Sequence, residues 1–144
     1  MSNPLFHRVN VREKPAFLHR LMQELAGKST ISFEGDLSHC RFIEDLIERY
    51  DRVAALHRNT MWPKRDFVVL RLATENVEKI YEQVMAAGLK HAIVHVQIER
   101  RGVLELAAYD NFHPDCTTTG PGVRVALLNQ LKDARVLHDF EVVE

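Results

Sequence analysis

The sequence predicts an α+β fold, a mixed sheet of about five strands with helices packed on it. Three observations carry that expectation. Residues 67–73 (Phe-Val-Val-Leu-Arg-Leu-Ala) are almost continuously apolar, as a strand covered on both faces would be. Other stretches repeat apolar residues at helical spacing and carry start or stop signals. From residue 66 to 143 the elements read β-α-β-β-α-β, the split βαβ order of ferredoxin-like folds, preceded by an α-β-α extension.

Taken in order, the first helix opens near Pro15, whose missing N–H would be unpaired in a first turn anyway. Phe17, Leu18, Leu21, Met22 and Leu25 share its inner stripe, and Gly27 stops it. Residues 29–34 alternate as a strand, Gly35 and Asp36 turn the chain, and Ser38 offers an N-cap. Cys40, Ile43, Leu46, Ile47 and Tyr50 mark a second amphipathic helix reaching to about residue 56. A polar, basic connector, 57–65, follows.

After the strand at 67–73, Thr74 caps a helix with Val77, Ile80, Tyr81, Val84 and Met85 inward, closed by Gly88. Residues 91–99 alternate, Arg100, Arg101 and Gly102 make a hairpin connection, and 103–109 return. A long loop, 110–120, leads through Pro121 to a helix carrying Val125, Leu128 and Leu131, and 136–143 form the last strand. In a ferredoxin-like order the first and third of these strands are central and the second and fourth are edges. The polar residues His95, Gln97, His138, Asp139 and Glu141 fall on the expected edges, where charge blunts aggregation.

The chain of 144 residues is expected to form one domain, 1–144, able to bury roughly 70% of its unfolded surface. With 46% hydrophobic and 27% charged residues it is ordinary globular material. A net charge of -1 argues against a nucleic-acid coat protein. Cys40 and Cys116 form no C-x-x-C pair and read as free thiols of a reducing compartment. Neither a signal peptide nor an apolar run of about 18 residues is present, so the expected location is the cytoplasm and no membrane is expected as a partner.

Reactive groups are densest in the 110–116 loop, where Asp110, His113, Asp115 and Cys116 are of the types that ligate zinc or serve a Cys/His hydrolase. No recognised ligand interval is present, and Asp115 beside Cys116 disfavours a thiolate, so neither a metal nor another cofactor is expected. His91 and His95 lie on a strand, about 13 Å apart at roughly 3.3 Å per residue, too far for one ion. Thr119, Gly120 and Gly122 ahead of a helix, with Arg124, can present N–H groups to an anion, though Pro121 removes a donor and a plain helix start accounts for them equally. Trp62 among Arg58, Lys64 and Arg65 is a single aromatic, short of a nucleic-acid stacking platform. Glu34, Asp36, Asp45 and Glu48 can form an acidic patch, with Glu13, Glu24, Asp139, Glu141 and Glu144 as further carboxylates.

No signature places the chain in a known family. A scaffold with edge strands and loops but no competent catalytic constellation favours a binding or regulatory module over an enzyme. Its concrete form is a small bacterial inhibitor or immunity-type protein that neutralises another protein by contact, with an acidic face to steer it. The alternatives are a metal-dependent or Cys/His hydrolase centred on the 110–116 loop, and a homodimeric ligand sensor, the last by fold analogy.

Overall fold

The computed structural model describes residues 5–38, 40, 47–48, 55–59 and 65–143, with residues 47 and 48 described by backbone alone. Its strands are β1 (Phe6–Val11), β2 (Ser29–Gly35), β3 (Ile47–Glu48), β4 (Asp66–Leu72), β5 (Ile93–Arg100), β6 (Val103–Ala108), β7 (Thr117–Thr119) and β8 (Leu137–Val143). The helices are α1 (Lys14–Leu25), α2 (Val77–Ala87) and α3 (Val125–Asp133). All the strands join one sheet in the order β3-β4-β2-β5-β6-β7-β1-β8. Every neighbouring pair is antiparallel. Seven strands have three residues or more, and β3 is a two-residue strand at one end.

Local chemistry sets the elements as expected in most places. Pro15 lies in the first turn of α1, and Phe17, Leu18, Leu21, Met22 and Leu25 are its buried stripe. Asn76 anchors the start of α2, accepting the Ala73 N–H at 2.9 Å and donating to the Arg71 carbonyl at 3.0 Å. The β5–β6 hairpin turns on Arg101 at φ 55° and Gly102 at φ 81°, the positive pair that a two-residue turn of matching twist requires. One apolar cluster joins the helices to one face of the sheet: Phe17, Leu21, Ile80, Val84, Leu127 and Leu128 against Val9, Ile31, Phe33, Leu70, Val96, Ile98 and Leu106. Each such side chain contributes about 1.5–3 kcal/mol on full burial.

The sheet is two similar frames joined by β6. In the first, β4 and β5 run parallel, linked through α2, with β2 antiparallel between them. In the second, β7 and β8 are linked through α3, with β1 between them.

This order overturns the ferredoxin-like expectation. The sheet has more than five strands, and β4 does not adjoin β6, because β2 and β5 stand between them; its wholly antiparallel pairing also replaces the mixed sheet expected. The strand β5, expected at an edge, is interior. Its polar residues His95 and Gln97 mark a face, where partners on the sheet satisfy them, and polarity alone does not distinguish a face from an edge. Three strands, β1, β3 and β7, were not foreseen. In β1 the inward positions are His7, Val9 and Val11, so a histidine interrupts the apolar alternation. In β7 the three threonines look like a loop leading to a helix start, yet β-branched residues suit a strand. Ile47 and Glu48, expected in a helix, pair with β4 instead; the rest of 41–54 lies outside the described residues. Val125 is 44% exposed, and Leu127 takes its place inside.

Candidate functional site

The sheet face away from the helices differs along its length. At the β4–β2–β5 end it is covered. Ser32 pairs with Val69 and Gln97, and Glu34 with Phe67 and His95, setting polar side chains of β2 and β5 beside Val69 and Phe67 of β4. The Gln97 amide donates to Ser32 Oγ at 3.0 Å and to the His57 carbonyl at 2.9 Å, and accepts from the Tyr109 hydroxyl at 3.2 Å. Glu34 accepts the Asn59 N–H at 2.7 Å. Residues 56–59 thus lie over this face, and Leu56 and Val69 are buried with it. His95 Nδ1 accepts the Asp110 N–H at 3.0 Å, and the ring stands edge-on to Tyr109. Burial pulls the His95 pKa below its ordinary value, opposed by Glu34 and Asp110 and aided by Arg65. Burial, then the nearby Glu34 carboxylate, pushes the Tyr109 phenol up.

In the middle, Glu105 on β6 meets the turn at Gly120 and Gly122. The Gly120 N–H donates to the Glu105 carbonyl at 2.9 Å, and a Cβ on either glycine would collide with the Glu105 carboxylate. Burial raises the Glu105 pKa against the pull of the Gly122 N–H and Arg100. Glu105 Oε1, Arg100 Nε, Thr119 Oγ1 and His7 Nδ1 are buried without a hydrogen-bond partner, and His7 and Thr119 pair directly across β1 and β7.

At the β7–β1–β8 end the same face is open. A groove of about 240 Å³ lies between Arg8, Asn10, Asp139 and Glu141 on the strands and Pro114 and Asp115 of the turn above them. Arg8 bonds Glu141 at 3.1 Å, both side chains being largely exposed. The strand β8 pairs only with β1 among the described residues, so it is an edge. Leu5, Phe6, Val142 and Val143 are exposed where β1 begins and β8 ends, Phe6 lying opposite Val143.

The residues singled out in the sequence separate. Asp110, Asn111 and Phe112 take positive φ in succession, and Phe112 is buried edge-on against Phe17. His113 Nδ1 accepts the Asp115 N–H at 3.1 Å, which starts a short 3-10 turn through Cys116. These groups shape a loop and do not converge: among the described residues no three His, Cys, Asp or Glu side chains are placed to hold a metal ion. Cys40 and Cys116 are free thiols, the former pushed up by burial and by Asp36. Where the sequence offered an anion site, the Gly122 N–H faces the chain's own Glu105 carboxylate. Arg124 there forms a forked pair with Glu24 at 2.9–3.1 Å. Glu34, expected on an acidic surface, is 1% exposed, because even strand positions of β2 point under residues 56–59. Asp36 is exposed and accepts Ser38 N–H and Oγ–H. Asp45 and Trp62 lie outside the described residues, and of Glu48 only its backbone place in β3 is described.

Sequence reasoning missed Arg8, Asn10 and the Leu5–Phe6 pair, since β1 was not recognised; it placed Asp139 and Glu141 on an edge strand, where they lie, but gave no sign of the groove beside them. The signal was the alternation of residues 6–11, masked by His7. No protein-family model matches the chain, nor does any curated protein or solved structure. Among the described residues no helix is long and apolar enough to cross a membrane.

Proposed function

We propose that the protein works by direct contact with another protein, in the manner of a small inhibitor or immunity-type protein, and that the β1–β8 end of the sheet is its contact surface. One observation carries this. Of the six large apolar side chains exposed among the described residues, Leu5, Phe6, Val142 and Val143 gather at that end. Scattered apolar residues on a surface need no account, whereas a group gathered at one sheet edge, with Phe6 and Val143 on the groove's face and Val142 on the other, is what an edge contact surface presents. The His113 ring is engaged in a turn-forming bond, and among the described residues the loop's His, Asp and Cys side chains do not gather as a set of three, which favours binding over the hydrolase alternative.

The test is differential capture from the native host. Immobilised protein should retain a defined protein that a Val142→Asp variant of unchanged melting temperature loses. Equal retention by both forms removes the contact surface from this end of the sheet.

A further inference from the structure

The β8 strand ends the sheet at the open end, and its outer side meets no other described strand. A sheet edge of this kind accepts an extended segment as a further strand, with backbone bonds giving affinity and alternate side chains giving selectivity. Resting on the contact surface proposed above, we propose that β8 takes up an extended segment of the partner protein in which basic and apolar residues alternate.

Charge and register select that occupant. Asp139 and Glu141 lie on the open face, opposite Asn10 and Arg8, while Phe140 and Val142 lie on the helix-side face, opposite Val9 and His7. Asp115 brings a third carboxylate to the groove, against the single guanidinium of Arg8, which Glu141 already engages. An added strand therefore places one set of alternate side chains beside Asp139 and Glu141 and the other beside Phe140 and Val142. Lysine or arginine suits the first set and aliphatic residues the second. Val142, 49% exposed, and Val143 are open to such contact.

A second copy of this chain fits less well. In a two-fold antiparallel β8–β8 pair that keeps both sheets' faces aligned, registers centred on Asp139, Phe140 or Glu141 oppose carboxylate to carboxylate. Like charges directly opposite destabilise a strand pair.

The experiment titrates the full chain with a short, end-capped peptide of alternating lysine and valine, followed by backbone amide resonances. Shifts should concentrate in β8, and a glutamate–valine peptide should give none. Charge reversal by Asp139→Lys with Glu141→Lys, at exposed positions, should weaken the lysine peptide roughly tenfold and admit the glutamate peptide. N-methylation of either all lysines or all valines removes one side's backbone donors, and one of these two peptides should fail to bind. No binding of the lysine peptide, unchanged binding after charge reversal, or tolerance of both N-methyl patterns overturns strand addition. Self-association of the chain that is lost on Val142→Asp makes a second copy the occupant and also overturns it. A lysine peptide that fails while Val142→Asp still loses the captured partner rejects this mode alone and leaves the contact surface standing.

Discussion

The two ends of the sheet share a frame and differ in what lies on it. At each, a helix links two parallel strands around an antiparallel third: β2 between β4 and β5, β1 between β7 and β8. At the first end residues 56–59 cross the far face, β3 closes the edge, and Ser32, Glu34 and Gln97 are buried with partners. At the second end the corresponding face holds an open groove and β8 has no outer neighbour among the described residues. Similar topology is thus covered at one end and left open at the other. The difference lies in the cover, since a polar row under a lid must be fully bonded while one facing water need not be.

The sharpest test of this contrast places the same substitution at both ends. Val69, 1% exposed on β4, becomes an unpaired buried charge on Val69→Asp, costing several kcal/mol, and the chain should not fold. Val142→Asp should shift stability by no more than about 0.5 kcal/mol in a urea titration. A natively melting Val69→Asp protein would remove the cover from the first end.

Next in size is Gln97→Leu. It strips partners from Ser32, the His57 carbonyl and the Tyr109 hydroxyl, and should cost roughly 2–4 kcal/mol by denaturant unfolding.

The pH dependence should come from the covered end as well. His95 has a folded pKa below its ordinary 6.5, chiefly through burial, so the unfolded chain binds the proton more readily. Its share of stability is complete above about pH 6.5 and declines as pH falls toward the lowered folded value. Melting temperatures taken from pH 8 to 5 should show this decline, and His95→Gln should flatten it. A variant with the parent's slope would assign the decline to other groups.

The smallest effect belongs to the open end. Arg8→Ala breaks an exposed pair with Glu141 and should change stability by about 0.5 kcal/mol or less. A loss of several kcal/mol there would mean that this face, too, is structural.

Much of the molecule was legible in residue order. Pro15 and Gly27 bracket α1, Gly88 ends α2, and Arg101 with Gly102 makes the hairpin, because each acts within a few residues of itself. The site was less legible. Asp115 and Glu141 are distant in sequence and line one groove only because the turn after β6 folds over β1. His95 and Gln97 are polar residues in an alternating strand, and nothing local says whether water or residues 56–59 cover them.

The sequence by itself determined the α+β class, the three described helices and most of the strands, since periodicity, caps and turn residues are short-range properties of the chain. Only the tertiary structure decided the strand order, the burial of Glu34 and Gln97, and the groove beside β8. Those depend on which strand inserts between two others. Insertion of β2 between β4 and β5, and of β1 between β7 and β8, is settled by the shared burial of distant apolar faces, which no single segment encodes.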